Sequence, residues 1–178
     1  GQPVVAVLLG NGIAAQAESL IPYGADEVVV VDDPILEEYT TEPYAKALAA
    51  VIKERQPEIV LFGATSIGRD LAPRLSARIR TGHTADCTGL AIDPDTKLLM
   101  MSRPAFGGNL MAVIRCKNHR PQMATVRPGV MQPMEPEEER QGKVTVFPVA
   151  FTPADQTVEL LEVIPKKRGS ADITQASC

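Results

Sequence analysis

Three short apolar runs, each passing through a turn into a segment of helical periodicity, constrain this chain more than any other feature. VVAVLL, residues 4–9, closes on Gly10-Asn11-Gly12, and residues 13–20 then place Ala and Leu at helical spacing before Pro22 and Gly24. EVVVVDD, residues 27–33, is rich in β-branched Val. Beyond it, Tyr44, Leu48, Val51 and Ile52 fall on one helix face, with Pro43 suited to the first turn. EIVLFGA, residues 58–64, is the third run, and Ile67, Leu71, Leu75 and Ile79 follow at successive steps of four. Runs without polar alternation read as strands buried on both faces. The order βαβαβα predicts an α/β fold: a three-layer, mostly parallel sheet with helices on both faces.

The second half changes character. Turn signals at Asp93-Pro94-Asp95 and Gly107-Gly108-Asn109 separate LLMMSRP, LMAVIRC and QMATVRPG, which read as a short, partly antiparallel portion. Residues 134–143, MEPEEERQGK, read as an acidic solvated loop, and VTVFPVAF and TVELLEVIP as further strands. A division follows: residues 1–164 form one α/β domain, and residues 165–178, PKKRGSADITQASC, have linker composition.

With 178 residues the chain is long enough for one substantial core, and with no Trp that core must come from Val, Leu, Ile, Ala and Met. A net charge of -4 argues against a general nucleic-acid binder, which needs a basic face to neutralise phosphates. Cys87, Cys116 and Cys178 form no CxxC pair and share no ligand spacing with His83 or His119, which points to a reducing, cytoplasmic setting rather than a disulfide or zinc framework. No apolar run approaches the ~20 residues of a membrane span.

The stretch GATSIGRDLAPRLSARI, residues 63–79, sits where the third strand passes into a helix. Beyond the carboxyl end of a parallel strand, unpaired helix N–H groups and a partial positive charge favour an anion. Thr65 and Ser66 supply hydroxyls, Gly68 permits the close approach of a ligand or another backbone, and Arg69 adds a guanidinium. The alternative is structural: the hydroxyls cap the helix and Arg69 pairs with Asp70 or another carboxylate. Pro73 leaves two starts open, a kinked helix from Ser66 or a helix capped by Asp70 with residues 65–69 as loop. Walker, GxGxxG, GxSxG and HExxH motifs are all missing from the sequence, so nucleotide hydrolysis, dinucleotide binding and hydrolytic chemistry have no support. No residue is expected to act as a catalytic acid, base or nucleophile.

GATSIGRDLAPRLSARIRTGHTADCTGL, with RPAFGGNLMAVI and HRPQMATVRPGVM, closely resembles the α subunit of electron transfer flavoproteins, most densely over residues 63–131. The wording is similar to the branch found in anaerobes and nitrogen fixers, some of whose members bifurcate electrons. One departure is His83, where an apolar residue is expected. The resemblance implies an adenine-nucleotide-hydrolase-like N-terminal domain of an electron carrier subunit, rather than an enzyme by itself. It also implies a heterodimer with a β subunit, exchange with flavin dehydrogenases, FAD in the full heterodimer, and contact of NADH with the β-subunit FAD. The FAD site of the α subunit is expected outside this sequence. Residues matching motifs that would line the β-subunit flavin are Thr65, Ser66, Gly68, Arg69, Thr84, Asp86, Arg103, Gly107, Gly108 and Asn109. Arg69 and Arg103 are best supported, because a cation stabilises an anionic reduced flavin. An interface salt-bridge set is the alternative for Arg103, Arg115, Arg120 and Arg127, and Phe106 is expected as a core or interface anchor. Two readings from other classes remain beside this one: a stand-alone AMP- or ATP-binding module, and a purely structural platform.

Overall fold

The computed structural model describes residues 2–164; the linker expected at residues 165–178 lies outside the described residues. The architecture is α/β with mostly parallel strands, as the alternating pattern requires. Strands β1 (Val5–Gly10), β2 (Glu27–Asp32) and β9 (Lys143–Val146) form one parallel sheet in the order β1-β2-β9. Strands β3 (Ile59–Gly63), β8 (Gln122–Val126) and β4 (His83–Cys87) form a second, in the order β3-β8-β4. Strands β5 (Gly89–Ile92), β6 (Leu99–Ala105) and β7 (Leu110–Ile114) form an antiparallel sheet.

Helices cover both faces of β2. Val28 and Val30 pack against Ala17 and Ile21 of a 3-10 helix, Ala14–Tyr23. Val29 and Val31 face Ala47 and Val51 of helix α1 (Thr41–Arg55). Four valines buried on two faces are worth about 1.5–3 kcal/mol each. The first crossover is thus a 3-10 segment rather than an α-helix. Pro22 lies inside it and cannot donate a backbone bond, and Gly24 closes it at φ 105°.

Helix α1 joins the two parallel sheets. While Ala47 and Val51 meet β2, Ala45, Leu48 and Ile52 pack on Leu71 and Leu75 of helix α2 (Ser66–Ile79) and on Met123 of β8. The opposite face of β8 turns Ala124 toward Cys87, Leu99 and Met101, so the antiparallel sheet is the second cover of that strand. Buried Gln122 fastens the two layers, its Oε1 accepting the Leu99 N–H at 2.9 Å.

Two expectations need correcting. QMATV is no antiparallel strand but the central parallel strand β8, paired on both sides. Its apolar side chains are buried on two faces, which periodicity alone does not assign to either sheet type. TVELLEVIP forms no strand over residues 157–164, because no described residue pairs with it there; Val158, Leu161 and Ile164 are exposed. The acidic loop is exposed as expected except at half-buried Arg140, which donates to Asp26 at 2.7 Å and pairs with Glu137, tying the loop to the start of β2.

Candidate site at the edge of the second parallel sheet

In parallel sheets, ligands bind outside the carboxyl ends of the strands. Register brings three such ends together: Gly63 of β3 and Cys87 of β4 both lie opposite Val126 of β8. The Ala64 N–H donates to the Val126 carbonyl at 2.7 Å, and the Arg127 N–H to the Cys87 carbonyl at 2.9 Å. Residues immediately beyond these ends therefore share one rim.

At the β3 end, Thr65 is the helix cap. Its Oγ1 accepts the Gly68 N–H at 3.2 Å, and α2 starts at Ser66 with Pro73 inside it. Of the two starts left open, the helix from Ser66 is the one observed, and Asp70 is not its cap. The Asp70 carboxylate is occupied elsewhere, accepting from the Tyr39 and Thr41 hydroxyls at 2.6 Å each. Gly68 is required by backbone packing, since a Cβ there would lie 1.9 Å from the Gly63 carbonyl oxygen. It seats the first turn of α2 directly on the strand end.

At the β4 end the backbone is irregular. Pairing shifts between Thr84 and Cys87, and Asp86 takes a left-handed conformation at φ 59°. Asp tolerates this region better than most residues. The conformation directs the Asp86 N–H to Thr125 Oγ1 at 2.9 Å. The Asp86 carboxylate receives both arms of Arg127, Nη2 at 2.6 Å and Nε at 3.1 Å. That pairing, countered by some burial and reinforced by the charges of Arg69 and Arg103, holds the carboxyl below its ordinary range. Thr84 itself is buried within β4.

The third approach is from β6. The Thr88 N–H donates to the Ser102 carbonyl at 2.9 Å, which carries neighbouring Arg103 to the rim. Arg103 is felt by His83 as well as Asp86. Burial is the larger cause lowering the His83 pKa, and the Arg103 charge adds to it. Buried His83 Nε2 has no hydrogen-bond partner, the physical counterpart of an imidazole where an apolar residue was expected.

The rim thus gathers Arg69, Asp86, Arg103 and Arg127 from four elements. Gly107, Gly108 and Asn109 stand apart at the exposed tip of the β6–β7 hairpin, and among the described residues they make no side-chain hydrogen bond to this group. Phe106, beside them, is 83% exposed at φ 48°, so its expected core role is excluded. A salt-bridge set is real but internal: Arg115 pairs with Asp93, Arg120 with Glu58 and Arg127 with Asp86. Among the described residues, Arg69 and Arg103 have no ion pair. Thr125 and the Asp86–Arg127 pairing escaped the sequence reading. The signal was the position of Thr125 and Arg127 at the carboxyl end of β8, which is meaningful only once β8 is known to be parallel.

The first crossover contrasts with this rim. Its Gly12 and Ile13 N–H groups are already taken by the Asp32 carboxylate, at 2.7 and 3.1 Å. An anion approaching that loop would have to displace the chain's own carboxylate. A groove between residues 34–40 and 156–160 is lined by Glu37, Glu38 and Glu159, which disfavours an anionic ligand there too. No helix among the described residues is long and apolar enough to cross a membrane.

Comparison with known proteins gives the family. Residues 1–152 match the electron transfer flavoprotein domain. The chain is 49% identical over 176 residues to the electron transfer flavoprotein subunit alpha of Thermoanaerobacterium thermosaccharolyticum, covering 99% of this chain and 53% of the relative. It is 44% identical over 176 residues to the lactate dehydrogenase (NAD(+),ferredoxin) subunit LctC of Acetobacterium woodii, covering 99% of this chain and 42% of the relative. It is 41% identical over 201 aligned positions to the acryloyl-CoA reductase electron transfer subunit beta of Anaerotignum propionicum, covering 99% of this chain and 54% of the relative. The chain spans about half the length of the curated relatives it matches.

Proposed function

Since the chain belongs to the electron transfer flavoprotein family, we propose that it is the N-terminal domain of an α-type subunit that docks a β subunit and shapes one side of a flavin or nicotinamide site. The observation that carries this reading is the pair of guanidiniums, Arg69 and Arg103, which have no ion pair among the described residues and lie where three parallel strands end. An anionic or electron-accepting cofactor fits that rim by the chemistry of its donors: two unmatched cations and the positive end of α2. A flavin held there would supply the electron chemistry, taking up two electrons and a proton on reduction. The residues of this chain supply position and positive potential, and none is asked to react. On this reading the electrons would come from dehydrogenases or NADH, and the complex would work in the cytoplasm.

Docking is assigned to the exposed edge strand β7 of the antiparallel sheet. Leu110, Met111 and Val113 of β7 are exposed beside Phe106, which leaves apolar side chains open to a partner. Arg115, Arg120 and Arg127 keep their charges paired within the chain, so the apolar strand rather than salt bridges is the docking element.

The test is co-expression of the full-length subunit with its β subunit. The wild-type complex should purify as a yellow heterodimer. Val113→Asp, alone or with Met111→Asp, should weaken association by tenfold or more, equivalent to about 1.4 kcal/mol. A β subunit that binds the variant as tightly as wild type would refute the docking assignment.

A further inference from the structure

Three guanidiniums act on a single carboxylate at the rim, and the carboxylate is held with unusual care. Asp86 sits at a break in β4 pairing with a positive φ. Its N–H is satisfied by Thr125, which is buried on β8. Both its oxygens are engaged by Arg127, which follows directly on that strand. Backbone and side chain of Asp86 are thus fixed from one strand, β8. Arg69 from α2 and Arg103 from β6 complete the surroundings, with no ion pair of their own among the described residues. Two of the three cations are therefore uncompensated, and one is cancelled by a negative charge that cannot swing away.

Such a carboxylate does more than hold the fold. A neutral Asn could accept one of the two Arg127 hydrogen bonds, and it is equally at home at positive φ. The feature that only Asp provides is a fixed negative charge within the field of Arg69 and Arg103. Charges of opposite sign at one site act on a third charge in opposite directions.

We propose that Asp86 is a positioning and tuning residue: fixed by Thr125 and Arg127, it offsets the positive potential that Arg69 and Arg103 impose on the cofactor at this rim, and so limits how strongly reduction is favoured. This inference rests on the flavin-side reading given above. It assigns Asp86 a sign opposite to that of the two arginines, which a structural role does not.

The experiment measures the midpoint potentials of the bound flavins by spectroelectrochemistry in the full-length heterodimer. Wild type is compared with Asp86→Asn, Arg69→Gln, Arg103→Gln and Arg127→Gln, at low and high salt. The expected result is a rise in potential for Asp86→Asn and a fall for Arg69→Gln and Arg103→Gln, both shrinking at high salt. Arg127→Gln unmasks the carboxylate and should also lower the potential, which keeps the test alive if Asp86→Asn assembles poorly. If Asp86→Asn falls together with the arginine variants, its role is structural and the inference is overturned. If the arginine variants shift and Asp86→Asn does not, the inference fails while the flavin-side reading stands. If none of the four moves any potential, the flavin-side reading itself fails.

Discussion

Strands β2 and β7 are almost equally apolar, EVVVVD against LMAVI, yet they live in opposite surroundings. Every valine of β2 is buried, while Leu110 and Met111 of β7 are each 59% exposed. The difference lies in neighbours. β2 is paired on both edges and covered on both faces, by a 3-10 helix on one side and by α1 with Phe147, Val149 and Phe151 on the other. β7 is an edge strand whose side chains join none of the apolar clusters among the described residues. Hydropathy thus marks both as surfaces to be covered, but only one is covered from within this chain. The same contrast holds for the two crossover loops. The one after β1 is closed by Asp32, and the one after β3 leaves Arg69 without an ion pair among the described residues. Strand β2 is thus covered from within the chain, whereas β7 and the rim beyond β8 keep apolar surface and charge for something else.

Breaking the contrast at its strong end should have the largest effect. Val30→Asp puts a carboxylate where no cation or water can reach it and should cost more than about 3 kcal/mol, enough to unfold much of a marginal domain. Urea denaturation followed by circular dichroism measures this. A folded variant of near-native stability would mean that β2 is not the core strand described.

A smaller effect is expected from the cover over β2. Lys46 on α1 reaches Asp155 at 2.7 Å and lies 5.6 Å from the Phe151 ring, pinning the segment that includes Phe147 and Phe151. Hydrogen bonds from Lys46 first, and from the Thr152 backbone and hydroxyl next, hold the Asp155 pKa at about 2, below its ordinary 3.8. Because the folded-state value is the lower one, the pin contributes fully above pH 3.8. Its contribution is lost as pH falls from there toward about 2. Thermal melts over that window should show a steeper loss for wild type than for Lys46→Met. Parallel curves for the two would remove the pin from the account.

At the weak end, Val113→Asp on β7 should change the stability of this domain by no more than about 0.5 kcal/mol, as for other exposed positions. The same change is expected to impair docking, so its melting temperature sharpens the comparison with Val30→Asp. A large loss of stability would show that β7 is internal support rather than a surface kept for a partner.

Much of this was legible in the residues. The helix face of Tyr44, Leu48, Val51 and Ile52 became α1, and Ile67, Leu71, Leu75 and Ile79 marked α2, because 3.6-residue periodicity is a local property. The turn after β3 was recognisable as a passage from strand to helix, but Pro73 left the helix start open between Ser66 and an Asp70 cap, which the structure resolved at Ser66. Two features were not legible. A run such as QMATV has the same composition whether its partners run parallel or antiparallel, so the place of β8 between β3 and β4 was hidden. With it was hidden the pairing of Asp86 to Arg127, 41 residues apart. TVELLEVIP shows the converse, a strand-like composition with no partner among residues 157–164.

By itself, the sequence determined the alternation of strands and helices, the apolar cores of β2 and α1, and the kinds of side chain available at the β3–α2 turn. Those follow from interactions between residues a few positions apart. Which strands lie side by side, which arginines are neutralised, and which of two equally apolar strands meets water were decided only by the tertiary structure. Pairing and burial are settled by distant segments that compete for the same edges and faces, and no single stretch of chain contains that competition.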